Sequence, residues 1–130
     1  MTTRQEARGF GQQSEALAER HLLRKGYRFV ARNVRLPQGE VDLIVRQGAV
    51  LVFVEVKARR SPAMGGAAFA VTPAKQRRLV QLAAQYLSSH QLQDQACRFD
   101  VVLIEQQRDA SATVTHIENA FEVSAHHLRC

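Results

Sequence analysis

Gly39-Glu40-Val41-Asp42-Leu43-Ile44-Val45, followed after a short break by Val50-Leu51-Val52-Phe53-Val54-Glu55-Val56-Lys57, decides the fold of this chain. Both runs are rich in β-branched residues, and Gln47-Gly48 between them reads as the two-residue turn of a β-hairpin. With that turn Arg46 faces Ala49, Asp42 falls opposite Phe53 and Glu40 opposite Glu55. Cross-strand partners share a face, and side chains alternate along a strand. Glu40, Asp42, Glu55 and Lys57 are therefore expected on one face, with diagonal neighbours roughly 7 Å apart at the backbone. A slip of one residue at the turn would send Asp42 to the other face.

Acids are depleted in strand interiors, and a buried carboxylate is costly without a partner or a metal. The cluster suits a Mg²⁺ or Mn²⁺ site, because hard carboxylate oxygens hold such ions while leaving room for water and a phosphate oxygen. An ion held so lowers the pKa of a bound water and offsets charge on phosphorus, which is the chemistry of phosphodiester hydrolysis. Lys57 beside it either orients or deprotonates the attacking water, or offsets transition-state charge. The bland alternative, an exposed Glu55–Lys57 ion pair worth about 0–1 kcal/mol, accounts for neither Asp42 nor Glu40.

The rest of the chain is expected to form an α/β domain with a mixed sheet flanked by helices, in the order α-β-β-β-α-β-β and spanning residues 1–130. The first helix is expected over residues 12–25, with Ala18 and Leu22 facing inward and Gly26 as its stop. A strand follows near residues 27–33. Residues 58–71, containing Pro62, Gly65 and Gly66, read as a mobile loop beside the site. Thr72 is the expected N-cap, with Pro73 at the first position, of a helix running to about Ser89. Arg98–Ile104 is apolar enough to be a central strand covered on both faces, and residues 113–117 form the last strand. Asp100, opening the central strand, is assigned a structural role, paired with Arg98 or with an N-terminal helix.

Outside the hairpin, Glu15 lies three and seven residues before Ala18 and Leu22, on the inward stripe. It is either a boundary acid paired with His21 or a nearby arginine, or a fourth metal ligand. Lys75, Gln76, Arg77 and Arg78 crowd the first turns of the second helix, where the macrodipole disfavours cations. That points to an external anion, with Lys75, Gln76 and Arg78 as nucleic-acid contacts; a solvated helix face is the plain alternative. Arg59 and Arg60, after the lysine strand, either follow a nucleic-acid backbone or merely solubilise a loop.

Composition fits these expectations. The 130 residues are 45% hydrophobic, carry a net charge of +6 and have a pI near 10.1, so attraction to polyanions is expected. Aromatic residues make up 6% with no tryptophan, which disfavours a stacking platform for single strands and leaves duplex or branched DNA as the expected partner. No stretch approaches eighteen apolar residues, and Arg4, Glu6 and Arg8 interrupt any leader-like start, so no membrane association and a cytoplasmic location are expected. Cys97 and Cys130 are too few for a disulfide framework, and His126, His127 and Cys130 read as a loose tail.

Asp42, a twelve-residue gap and Glu55-x-Lys57 resemble the PD-(D/E)xK nuclease superfamily, which includes restriction enzymes and archaeal Holliday-junction resolvases. Val41 stands where that superfamily carries proline. A closer resemblance is to the YraN family of small bacterial endonuclease-like proteins. It rests on Gly11-x-x-x-Glu15, Arg32-Asn33, Gly39–Ile44, Phe53–Lys57, Val71-Thr72-x-x-Lys75-Gln76-x-Arg78 and Arg98–Val102. The resemblance implies a restriction-endonuclease-like fold and matches Glu15 to the first-helix acid of the superfamily's metal site. It also implies a metal-dependent endonuclease, with Asp42, Glu55 and Lys57 catalytic and Asp42, Glu55, Glu15 and Glu40 toward the metal. The same resemblance suggests a symmetric homodimer if four-way junctions are cut. A nucleic-acid-binding protein without catalysis, or an RNA-directed version of either, stays open.

Overall fold

In a computed structural model, the described residues are 4–59, 71–109 and 111–121, with α1 side chains described from Gln12 onward. The expected loop at 58–71 and the tail with His126, His127 and Cys130 thus fall largely outside them. The chain runs α1 (Arg4–Arg24), β1 (Arg28–Leu36), β2 (Gly39–Gln47), β3 (Val50–Arg59), α2 (Pro73–Ser89), β4 (Cys97–Gln106) and β5 (Ala112–Ile117). This is the anticipated order, although α1 begins eight residues earlier than its apolar stripe suggested. The five strands form one sheet in the order β1-β2-β3-β4-β5. All neighbours are antiparallel except β3 and β4, which run parallel and are joined through α2.

Two apolar clusters sandwich the sheet. On one face Leu79, Leu82, Ala83 and Tyr86 of α2 pack on Ile44, Leu51, Phe53, Phe99 and Val101. On the other, Ala18 and Leu22 of α1 pack on Leu43, Val45, Val52, Val54, Val102 and Ile104. β4 is covered on both sides, as its continuous apolar run requires. No helix among the described residues is long and apolar enough to cross a membrane.

The helix boundaries follow local chemistry. Thr72 caps α2, its hydroxyl accepting from Lys75 N at 3.2 Å, with Pro73 opening the helix. At the end of α1, Tyr27 N donates to Leu22 O (3.1 Å) and Gly26 N to Leu23 O (3.1 Å), the double bond of a Schellman stop. Gly26 holds φ +96°, and a Cβ there would meet nothing within 4 Å. Gly26→Ala is therefore expected to cost about 1–2 kcal/mol through backbone conformation alone, read as a lower urea midpoint with an unchanged slope.

The hairpin register differs from the sequence expectation. Leu43 pairs with Val54, Ile44 with Phe53, and Gln47 with Val50, so the turn residues are Gly48 and Ala49 rather than Gln47 and Gly48. Gly48 sits at φ +58°, and glycine first in a two-residue turn satisfies the positive φ that matches strand twist. Continued outward, this register puts Asp42 opposite Glu55 instead of Phe53. The pairing has moved by two positions, and an even shift leaves every side chain on its face.

Candidate metal centre and its basic rim

The β2–β3 ladder ends at Leu43 and Val54, and beyond it the strands part. Asp42 fills the fork: its Oδ2 accepts a 2.9 Å hydrogen bond from Val56 N, a donor that no β2 carbonyl takes up. The side-chain alternation of β2 also breaks here. Leu43 and Val45 face α1, as expected from each other, but Val41 packs with Ile44 on the α2 side. On the β1 side, Val34 pairs with Val41 and Arg32 with Leu43, while Asn33 and Asp42 between them do not pair. Asn33 has φ 55°, a left-handed residue in a strand, which asparagine tolerates better than most.

The fork lets acids from separate elements meet. One carboxylate oxygen each of Glu15 (α1), Glu40 and Asp42 (β2) lie within 4.8 Å of one another. Ligand oxygens around an ion with 2.0–2.1 Å bonds are about 3–4 Å apart, so small side-chain adjustments suffice. Burial foremost, then the charges of Glu55, Glu15 and Glu40, push the Asp42 carboxyl up to about 7 against the opposing Val56 N–H bond. Burial and Glu40 likewise raise Glu15, opposed by a hydrogen bond from the Asn33 side chain and by Arg32. Three hard oxygen donors with such unfavourable mutual charge fit a divalent cation.

Glu55 stands outside that trio but acts on Asp42 electrostatically. Lys57 is half-buried and reaches the Lys75 amine of α2; burial first, and then Lys75, hold its amine below the ordinary lysine range. Lys57 and Lys75 thus meet beside Glu55. Arg78 is exposed and runs its stem beside Gly39 at the start of β2.

Two of the other basic-rim candidates have partners within the chain. Arg59 is engaged by Glu105 (Nη2–Oε2 2.8 Å, Nε–Oε2 3.2 Å), because the parallel β3–β4 register sets the two residues side by side. Gln76 donates its amide to Val71 O at 2.8 Å and so ties the chain entering α2. Arg60 lies outside the described residues. Glu15 is acted on by Asn33 and by Arg32, the latter a nearby arginine as its structural alternative had it.

Asp100 is a separate, structural centre. Its buried carboxylate accepts from Arg98 Nε and Nη2 (both 2.9 Å), His116 Nε2 (2.7 Å) and Asn119 N (2.9 Å). Arg98 continues to Tyr27 OH (2.8 Å), which donates to Glu118 Oε1 (3.1 Å). The Arg98 contact was legible from the sequence; His116, Tyr27 and Glu118 were not, since no local pattern links residues 71 or 91 positions apart.

The fold is a five-stranded mixed sheet between two helices, with three acids from α1 and β2 drawn together where β2 and β3 part. The chain belongs to the YraN family: the model for "Uncharacterised protein family UPF0102" matches residues 14–104. Similar relatives include the UPF0102 proteins of Symbiobacterium thermophilum, 48% identical over 115 residues (88% of this chain, 98% of that one), and of Geotalea uraniireducens, 43% identical over 121 residues (93% and 95%). Among solved structures, the Ca²⁺ complex of SfsA from Pyrococcus furiosus aligns with 91% of this chain and 66% of that one, at 14% identity and a TM-score of 0.42.

Proposed function

We propose that this chain is a divalent-metal-dependent endonuclease that hydrolyses DNA phosphodiester bonds, with branched or damaged duplexes as the substrate class. The observation that carries this proposal is the trio Glu15, Glu40 and Asp42, closed to within 4.8 Å, with Glu55 acting on Asp42 and Lys57 beside Lys75 and Glu55. Glu15, Glu40 and Asp42 would hold Mg²⁺ or Mn²⁺, with Glu55 adjoining. When bound, the ion supplies Lewis-acid stabilisation of phosphoryl oxygens and a more acidic water.

The chain's own groups do the remaining work. Asp42 is fixed from behind by Val56 N and cannot swing away from the cluster without leaving that N–H unpaired. Lys57 and Lys75, which meet beside Glu55, would hold a phosphate oxygen near the ion. Lys57, partly desolvated, would orient the attacking water or offset charge as it develops.

The test is cleavage of labelled four-way junction, flap, duplex and single-stranded DNA, and of an RNA duplex, with Mg²⁺, Mn²⁺ or EDTA. Metal-dependent cutting that is lost in Lys57→Ala is the expected result. Salt-sensitive binding that survives Lys57→Ala, with no cutting under any metal, would replace the enzyme with a binding protein of the same fold. If about four phosphates are engaged, log affinity for B-DNA should fall against log salt with a slope near −3.6. Lys75→Ala should make that slope shallower by about 0.9 at most, one phosphate's share.

A further inference from the structure

β1 carries Arg28, Arg32 and Arg35, all exposed, and no acid or lysine in its nine residues. Arg28 stands directly opposite Arg46 of β2, so the two side chains share a face. Like charges so placed are destabilising, and among the described residues no carboxylate pairs with either guanidinium. Further along the strand, Arg32 lies 3.6 Å from Glu19 and Arg35 3.8 Å from Glu40, both beyond hydrogen-bond length. The Arg35 side chain is 88% exposed, and a pair so open to water holds its arginine weakly. The row therefore carries positive charge that the chain's own acids do not neutralise.

We propose that Arg28, Arg32 and Arg35, with Arg46 beside the first, form a track for the phosphate backbone of duplex DNA that leads into the Glu15–Glu40–Asp42 cluster. The proposal rests on the nuclease reading of that cluster and adds where the substrate lies. The row ends at the acids, since Arg35 pairs with Glu40, itself one of the trio. A cation taken up by Glu40 would release the Arg35 guanidinium to a neighbouring phosphate. From Arg28 to Arg35 is about 23 Å of strand, the rise of about seven nucleotides along one strand of a duplex. Arginine is also the apt residue type, because its planar fork takes two phosphate oxygens at once and stays charged. Arg28 and Arg46 rise on the α2 face, where Arg46 also pairs with Leu51, and Arg32 rises with Leu43 on the α1 face. Long side chains on both faces can reach a backbone lying along this strand. An acidic peptide on the same row would meet the repulsion of the trio at its end, whereas a phosphodiester meets a metal ion there.

The test is binding of a labelled DNA duplex to the full chain in EDTA across a salt series, with melting temperature and Mn²⁺ affinity measured beside it. The variant combines Arg28→Gln, Arg32→Gln and Arg35→Gln, which drop the charge and keep a polar side chain. The expected result is a salt slope shallower by about 2.7, three phosphates' share, and about 100-fold weaker binding near 0.15 M salt. Melting temperature should equal or exceed that of wild type, because like charges have been removed, and Mn²⁺ affinity should not fall. Unchanged duplex binding in the variant would overturn the track while leaving the metal centre and its cleavage assay standing. Duplex binding kept while binding to vesicles of anionic lipid is lost would assign the row to a membrane surface instead. A lower melting temperature or weaker Mn²⁺ binding in the variant would make the arginines supports of the fold or of Glu40, and overturn the track too. A wild type that takes Mn²⁺ but binds no duplex would overturn the track and the DNA substrate together, and leave the metal site.

Discussion

Asp42→Asn is expected to abolish metal-dependent cleavage, by a factor of at least about 10³, and to make the metal-free protein more stable at pH 8. The first effect follows from removing an anionic ligand from the cluster, where an ion contributes several kcal/mol to the transition state. The second follows from the raised Asp42 carboxyl. A group held near 7 when folded and near 3.8 when unfolded binds more protons in the native state between those values. Its contribution is fully present below about pH 4 and is lost as pH rises through about 7, on the order of 4 kcal/mol in all. Asparagine retains an oxygen for the Val56 N–H and carries no charge, so it escapes that loss. Thermal unfolding in EDTA from pH 5 to 8 checks this: wild type should lose stability across the range and the variant should not. Mn²⁺ should restore the wild type most strongly at the high end and leave the variant unmoved. A variant less stable than wild type at pH 8 would show that the fork does not strain the ionised carboxylate.

Asp100→Ala is expected to cost about 3–5 kcal/mol, enough to leave a domain with the usual 5–15 kcal/mol of stability partly unfolded. The carboxylate is fully buried and serves Arg98, His116 and Asn119 N together. Removing it leaves the half-buried Arg98 guanidinium, the covered His116 ring and the Asn119 N–H without that partner. Its pH linkage has the opposite sign to that of Asp42. Burial raises the Asp100 carboxyl, but the bonds from His116, Arg98 and Asn119 outweigh it and hold the group below the ordinary aspartate range. That stability is present above about pH 4 and is lost as pH falls through the lowered value. Metal-free wild type should therefore be most stable in mildly acidic buffer, squeezed by Asp100 from below and Asp42 from above. Urea midpoints from pH 3 to 8 give the profile directly. An Asp100→Ala protein unfolding within 1 kcal/mol of wild type would make the network a passive surface arrangement.

Most of the fold was legible because its signals are local. Thr72-Pro73 and Gly26 mark helix ends through their own backbone chemistry, and the β4 run declares its burial by composition. The hairpin register was misjudged because Gly48 can occupy either turn position, and only the strands beyond it decide which. Ile44, Leu51 and Phe53 still share one face because the displacement was by two. What the sequence concealed was the fork itself. Alternation breaks at Asp42, and Asn33 turns left-handed opposite it, through a coordination of β1, β2 and α1 that no single segment encodes. The partners of Arg59 and Gln76 were hidden for a related reason. Each is claimed by a neighbour brought in by tertiary structure, Glu105 through parallel register and the Val71 carbonyl through the entry to α2.

β1 has a consequence for how copies of this chain meet. It is an outer strand of the sheet, with a register shift near Val30, a skipped pair at Asn33, and Arg28, Arg32 and Arg35 along its length. An edge so irregular and so positively charged is a poor template for another β1, since antiparallel self-pairing would bring arginines together on strands that cannot keep register. The irregularity beside the acid cluster thus also guards this border against sheet extension.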